Sequence, residues 1–343
     1  MSLTVLHVDP THPDPERIAE AARLLAHGEL VAFPTETVYG LGADGLNSDA
    51  VARIFAAKGR PAWNPVILHV ADTASAMALT SHWTDDAQKL ADAFWPGPLT
   101  LVLPKRDSVP DLATAGLDAV AVRVPSHPVA LALLRAFGGP IAAPSANRFT
   151  QVSPTTAEHV IRSLGDRITC VLDGGACEVG IESTVVDVSG AMPTILRPGM
   201  ITPQQLERVL QRSVGRLSQH VPLEQEETGG QRAPGMAARH YAPRAEVWLF
   251  DPAQEAEVAA ALADSSHDVA DGPVVGLLMR TQVPLPADGI VVSMPDDPAR
   301  YARALYAALH RADAAGARLI VIEQPPPTDE WLAIRDRLTR AAR

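Results

Sequence analysis

Pro34-Thr35-Glu36-Thr37-Val38-Tyr39-Gly40-Leu41-Gly42, followed by Lys58-Gly59-Arg60-Pro61, decides how this chain is read. The apolar run 30–33 stops abruptly at a proline, and hydroxyls, one carboxylate and two glycines follow at once. A strand end lined with small polar residues can receive a polar ligand. A helix-like segment then delivers Lys58 and Arg60, one residue apart, and two fixed cations can receive an anion. The pairing predicts a small polar molecule held beside a phosphate group.

Outward from this stretch, helical and strand patterns alternate. Residues 17–27 carry apolar groups at helical spacing, and Ser48 or Asp49 can cap a helix running through 57. Further helices are expected at 85–94, 128–137, 156–164 and 204–211, the last capped by Thr202 with Pro203 at its first position. Strands are expected at 30–33, 66–70, 99–103, 120–124, 141–143, 169–172, 183–188 and 194–196. Some follow one another without a helix between, so the α/β sheet should be mixed, not purely parallel. Residues 213–244 are polar, with Gly229-Gly230 and Pro222, Pro234 and Pro243, and lack periodicity. Strands at 247–250, 274–279, 290–293 and 319–323 then alternate with helices at 253–263, 298–314 and 331–341. The reading is an N-terminal domain, 1–212, a linker, 213–244, and a smaller Rossmann-like α/β domain, 245–343. The smaller domain has no GxGxxG, so its fold alone does not make it a dinucleotide binder.

With 343 residues the chain can build two cores, and its net charge of −11 argues against broad electrostatic binding of nucleic acid. A local basic pocket for a nucleotide is still permitted. The two cysteines, Cys170 and Cys177, form no CxxC pair and read as reduced thiols, which suits a cytoplasmic setting. Residues 1–10 have no signal-peptide pattern, and no run approaches the roughly 18 apolar residues of a membrane span.

Several residues could carry chemistry. Lys58 and Arg60 are either a solvated helix end or, because Pro61 and Asn64-Pro65 force extended backbone after them, charges turned towards one cleft. Arg123 lies inside an apolar strand and needs a partner, either a substrate carboxylate or an internal Asp or Glu. Pro144-Ser145-Ala146-Asn147 is a small-residue turn that could let backbone approach a ligand, with Ser145 and Asn147 as donors. Glu182-Ser183-Thr184 and Arg197 repeat the pairing of a polar strand start with a lone cation, and His69 ends a strand as a structural or binding histidine. The eleven histidines show no metal-ligand spacing, and there is no Walker A loop.

In order and spacing, the opening motif, Lys58-Gly59-Arg60-Pro61, Pro144-Ser145-Ala146-Asn147 and His240-Tyr241-Ala242-Pro243 resemble the threonylcarbamoyl-AMP synthase family, the longer type with a YrdC-like N-terminal domain. The resemblance spans nearly the whole chain. It implies an open, twisted YrdC-like sheet and a nucleotidyltransferase reaction in which L-threonine, bicarbonate and ATP, with Mg²⁺, give threonylcarbamoyl-adenylate and pyrophosphate. The product would pass to the tRNA threonylcarbamoyl-transferase machinery. By motif, Thr37, His69, Arg123, Ser183 and the Ala143 backbone resemble threonine contacts. Arg60, Asn64, Ser145, Asn147, Ser153, Arg197 and Tyr241 resemble nucleotide contacts, with Lys58 near the phosphates and acting with Arg60 in catalysis. Position 119 usually carries a threonine in this family; Ala119 removes that hydroxyl from the nucleotide set. No structural metal is expected.

A site of this kind needs no protein nucleophile, since positioning and charge neutralisation carry phosphoryl chemistry. A carboxylated threonine is labile in water, so the linker is expected to act as a lid that brings Tyr241 to the nucleotide. Two other functions compete: an RNA-binding module, disfavoured by the acidic net charge, and a carbamoyl-transferring enzyme of the hydrogenase-maturation type, whose acylphosphatase and zinc-finger-like regions the sequence does not show.

Overall fold

The computed structural model describes residues 3–216, 240–264 and 272–342. The chain divides into two units, 1–149 with 153–236, and 150–152 with 237–343. Residues 150–152 join the second unit because Gln151 bridges Ala242 and the Ala242 N–H donates to the Thr150 carbonyl. The lid expected at 213–244 falls largely on 217–239, outside the described residues. Among the described residues no helix is long and apolar enough to cross a membrane.

The first unit is built on β1 (Thr4–His7), β2 (Val31–Phe33), β3 (Gly40–Asp44), β4 (Ile67–His69), β5 (Leu99–Pro104), β6 (Ala119–Arg123), β7 (Ile141–Ala142), β8 (Cys170–Asp173), β9 (Thr184–Asp187), β10 (Thr194–Arg197) and β11 (Gly215–Arg216). They form one sheet in the order β1-β8-β2-β3-β7-β4-β6-β5-β9-β10-β11. Pairing is parallel at β4–β6 and β5–β9 and antiparallel at β5–β6, β3–β7 and β9–β10, so the mixed sheet expected from the sequence is present.

Alternation along the strands sorts side chains on to two faces. Ala32, Leu41, Leu68, Leu101 and Val122 bury against Val51, Ile54, Leu90, Val160 and Leu206. Val31, Phe33, Ile141 and Leu172 turn the other way, against Ile18, Leu25, Val129 and Leu133. Further along that second face, Ile67, Val102, Ala121, Val185 and Leu196 make only a small cluster. That stretch of sheet is where the polar residues gather.

Three strands, β1, β3 and β11, were not visible in the sequence. β3 reads Gly-Leu-Gly-Ala-Asp, poor in β-formers, yet sits inside the sheet because small residues are required there. A Cβ on Gly42 would lie 2.9 Å from Phe33 Cε1 and 3.0 Å from both Ile141 Cγ2 and the Val31 carbonyl. The helix Ser48–Lys58 is capped one residue earlier than expected, by Asn47, whose side chain accepts from the Asp49 and Ala50 N–H groups. Thr202 caps Pro203–Leu210 as anticipated, with Gln205 completing a reciprocal capping pair.

The second unit carries a four-stranded, all-parallel sheet of β12 (Glu246–Phe250), β13 (Val274–Leu278), β14 (Ile290–Ser293) and β15 (Leu319–Glu323), in the order β12-β15-β13-β14. Its helices Glu255–Asp264, Pro298–Ala314 and Leu332–Ala341 match the expected Rossmann-like pattern. Replacing Gly42 with alanine is expected to lower unfolding stability by about 1–3 kcal/mol through overpacking, measured by denaturant titration. Unchanged stability would mean that β3 tolerates a side chain there.

Candidate active site

Register explains which polar groups share a surface. His69 and Ile67 point the same way along β4, as do Arg123 and Ala121 along β6, and His69 lies directly beside Arg123 in the β4–β6 ladder. Thr100 shares the face of Val102, and Ser183 that of Val185. Arg197 should alternate away from this face, since Ile195 packs on the opposite one. A bulge between Ile195 and Arg197 resets the register, pairs Arg197 with Val185 and turns the guanidinium towards the small apolar cluster. Strand geometry thus assembles His69, Thr100, Arg123, Ser183 and Arg197 on one side of the sheet.

Arg123 is the centre of the first group. Its Nη2 donates to Glu36 Oε1 at 2.6 Å, its Nη1 to Thr37 Oγ1 at 3.0 Å and its Nε to the Gly97 carbonyl at 3.3 Å. The other Glu36 oxygen accepts from the Ser126 N–H at 3.1 Å. Both charged side chains are almost fully buried. Of the two partners foreseen for Arg123, the internal carboxylate is present in the chain itself. Hydroxyl directions follow from bookkeeping: Thr35 donates to the Val38 carbonyl, so Thr37, 2.8 Å away, donates to Thr35 and accepts from Arg123. Thr37 keeps one acceptor site for an incoming hydroxyl.

His69 is buried beside this pair, its ring edge-on to Phe33 at 6.2 Å between centroids. Burial, then the Arg123 charge, lowers its pKa to about 3, so the imidazole is neutral. Its Nδ1 has no hydrogen-bond partner among the described residues.

The second group surrounds Ser183. Arg197 donates through Nε and Nη2 to the Ser183 carbonyl at 3.2 and 3.0 Å, and through Nη2 to Ser183 Oγ at 3.1 Å. Ser183 Oγ also lies 2.8 Å from Thr100 Oγ1. The two groups adjoin through one segment, since Gly97 accepts from Arg123 and the Pro98 carbonyl accepts from the Thr184 N–H.

The third group follows the helix Ser48–Lys58. The helix ends on Gly59 in the left-handed conformation, φ 64°. Lys58 turns inward and donates to the carbonyls of Ser145, at 2.6 Å, and Asn147. It has no carboxylate partner among the described residues. Burial, then the neighbouring Arg60 charge, holds its pKa well below the ordinary lysine value. Arg60 donates to the Asn64 and Pro65 carbonyls, at 3.1 and 2.6 Å, and to Asn64 Oδ1, at 2.6 Å. The solvated helix end is thereby ruled out, since both cations are buried. Asn64 Nδ2 is buried without a hydrogen-bond partner among the described residues. Ser145 bridges Gly40, and the Ala143 N–H donates to the Ile67 carbonyl at 3.0 Å, so this turn abuts both the opening motif and β4. Ser153 donates to Glu182 Oε1 at 2.6 Å, next to Ser183.

Ala119 starts β6 opposite Pro104 and is partly exposed. Tyr241 belongs to the second unit, where it adopts φ 59°, stacks on Tyr306 at 5.9 Å and lies under the Arg337 guanidinium at 5.0 Å. Sequence reading overlooked Glu36, Thr100 and Glu182 as partners. The signal for Thr100 was available: a hydroxyl inside an apolar strand must find a hydrogen bond.

Among the described residues no group of three or more His, Cys, Asp or Glu could hold a metal. The charges of the third group are cations, which suit an anion such as a phosphate chain.

The profile of a family described as "Telomere recombination" matches residues 23–199, and that of "Threonylcarbamoyl-AMP synthase, C-terminal domain" matches 201–343. A threonylcarbamoyl-AMP synthase of Pyrococcus abyssi is 41% identical over 95% of this chain and 96% of its own length. One of Bacillus subtilis is 42% identical over 96% and 93%. The crystal structure of P. abyssi Sua5 complexed with L-threonine superposes with a TM-score of 0.89 at 38% identity, covering 100% of this chain and 98% of that one.

The buried neutral His69 has a consequence for stability. The unfolded histidine takes a proton near its ordinary value of 6.5, whereas the folded one resists to about 3. Its contribution is therefore complete above pH 6.5 and is lost as pH falls towards 3. The stability difference between wild type and His69→Gln should shrink by about 1.4 kcal/mol per pH unit between pH 6 and 4, read from urea unfolding. A difference constant across that range would show that His69 titrates normally.

Proposed function

The chain belongs to the threonylcarbamoyl-AMP synthase family, and from that premise we propose that its first unit joins L-threonine, bicarbonate and ATP into threonylcarbamoyl-adenylate, as a nucleotidyltransferase supplying the threonylcarbamoyl modification of tRNA. The observation that carries this reading is the whole-length match to a relative solved with L-threonine.

The first step forms the carbamate: threonine's neutral amine adds to the carbon of CO₂ and loses a proton or, when bicarbonate itself reacts, adds to its carbon while one C–O bond breaks and the oxygen leaves as water with the amine proton. A carbamate oxygen then attacks the α-phosphorus of ATP, the bond to the β-phosphate oxygen breaks, and pyrophosphate leaves. The protein's part is to hold these groups in line and neutralise charge. Arg123, fixed by Glu36, presents its remaining guanidinium hydrogens to the threonine carboxylate. Thr37 accepts from the threonine hydroxyl, with Ser183, His69 and the Ala143 backbone completing the amino-acid pocket. A site that hydrogen-bonds the hydroxyl rejects analogues lacking it, whereas serine, missing one methyl, is disfavoured by only about 1–3 kcal/mol.

Arg60, Asn64, Ser145, Asn147, Ser153 and Arg197 receive the nucleotide, and Lys58 reaches the phosphates. Lys58 is already desolvated and, among the described residues, meets only carbonyls, so an arriving phosphate oxygen would supply the anion that favours its charged form. Mg²⁺ enters as part of the substrate, MgATP. Tyr241 is assigned to the nucleotide from its motif alone, and Ala119 contributes backbone only. The thiols of Cys170 and Cys177, both buried and unpaired with each other, suit a reducing cytoplasm.

Pyrophosphate release should require threonine, bicarbonate and ATP together. Release without threonine, or none with all three, would overturn the synthase reading. Lys58→Ala should lower kcat/KM for ATP by about 100-fold while leaving threonine affinity within twofold. Domain roles follow the same reading, with residues 1–212 performing the chemistry, 213–244 closing over it and 245–343 anchoring the linker. A chain truncated after Gln211 should make adenylate more slowly, and a full-length rate would end the lid assignment.

A further inference from the structure

The second unit contains an unusual termination of β13. Four consecutive backbone N–H groups beyond its end all finish on carboxylates of the chain itself. Those of Met279, Arg280 and Thr281 donate to one oxygen, Glu323 Oε2, at 2.8, 2.8 and 3.0 Å. The Thr281 hydroxyl adds a fourth donor to that oxygen at 2.9 Å. The Gln282 N–H donates to Glu255 Oε1 at 3.0 Å.

The location matters as much as the count. Glu323 is the last residue of β15, and β15 is the parallel neighbour of β13. The turn therefore sits at the carboxyl ends of parallel strands, between β12-β15 and β13-β14, where chain order and spatial order part company. In open α/β sheets ligands bind at such points. Converging successive N–H groups are how these folds hold a phosphate or other oxyanion. The far side of the turn is tied down too, since Arg280 forms a two-point ion pair with Asp296, just past β14.

Glu323 is completely buried. Desolvation alone would raise its carboxyl, but the backbone N–H groups and the Thr281 hydroxyl outweigh burial and hold its pKa below the ordinary glutamate value. Its second oxygen and the buried Tyr301 hydroxyl have no hydrogen-bond partner among the described residues. The charge is therefore concentrated on the single oxygen that faces the amides.

We propose that the Met279–Gln282 turn is an oxyanion cradle that the chain fills from within, with Glu323 as its permanent ligand. The second unit then keeps the ligand-binding geometry of its fold but takes no phosphate or nucleotide from solution. This is separate from the chemistry assigned to the first unit and stands whether or not that assignment holds.

Two measurements test it. In the full-length protein, backbone amide resonances of Met279, Arg280, Thr281 and Gln282 should stay unmoved as ATP or inorganic phosphate is titrated in. A saturable shift of those four signals would show an open site and overturn the proposal. In Glu323→Ala the cradle loses its anion, and acetate should restore it. The melting temperature of the variant should rise by about 3 °C more in acetate than in chloride of equal ionic strength, with no such difference for wild type. Equal responses to the two salts would mean the amides do not form an anion site. If Glu323→Ala does not fold, Glu323→Gln, whose amide oxygen can still accept, gives the same comparison: it should fold with reduced stability. Stability equal to wild type would show that the carboxylate charge is not what the cradle holds.

Discussion

The site in the first unit depends on one buried ion pair, Arg123 with Glu36. A guanidinium inside a sheet is tolerable only with a carboxylate against it, because desolvating either charge alone costs several kcal/mol. Glu36 supplies that carboxylate from the turn after β2, and in doing so fixes where the turn lies relative to β6. The neighbouring backbone extends the constraint: Glu36 and Thr37 carbonyls accept from Val179 and Gly180, which lead into Glu182 and Ser183. One pair therefore orients the guanidinium, the Thr37 hydroxyl and the approach to the Ser183–Arg197 group. Truncating either partner would leave an uncompensated charge, so the pair is a positioning device before it is a source of stability.

Around it the sheet assigns different duties to its two faces. One face is covered by helices along much of its length. The other is covered beside β1, β2 and β8, and past that point holds only a small apolar cluster fringed by histidine, arginine and hydroxyls. Lys58, Arg60 and Arg197 are seen donating to carbonyls and to the side-chain oxygens of Asn64 and Ser183, while Arg123 also meets the Glu36 carboxylate. Carbonyl oxygens orient a cation without cancelling its charge, which is the condition an anion-binding cleft requires. The second unit shows the converse. Its amide cradle is already matched to a full carboxylate charge, and its strand-end geometry has become internal structure.

Much of this was legible in the sequence, and the reasons are specific. Helices 85–94 and 128–137 are bounded by capping and proline signals, so their limits agree with the structure to the residue. The mixed sheet was legible because several apolar runs follow one another too closely for helices. Strand β3 was hidden because Gly42 is needed for clearance against Phe33 and Ile141, and a Cβ on Gly40 would press on Ala143, requirements that no local propensity encodes. Arg197 was recognised as a lone cation, but the bulge that aims it depends on pairing with β9. For Arg123 the sequence demanded a partner and left two kinds open; Glu36, 87 residues away in the chain, could be chosen only once the strands were in place.

Arg123, held by Glu36, is proposed to receive the carboxylate of the amino-acid substrate. Calorimetric titration of L-threonine into the double variant Glu36→Gln/Arg123→Met tests it most directly, because removing both charges avoids stranding one of them in the core. Threonine affinity should fall at least about tenfold, as expected for losing a charged hydrogen bond worth about 1.5–3 kcal/mol, while ATP affinity stays within twofold. Threonine binding unchanged in a folded double variant would contradict it.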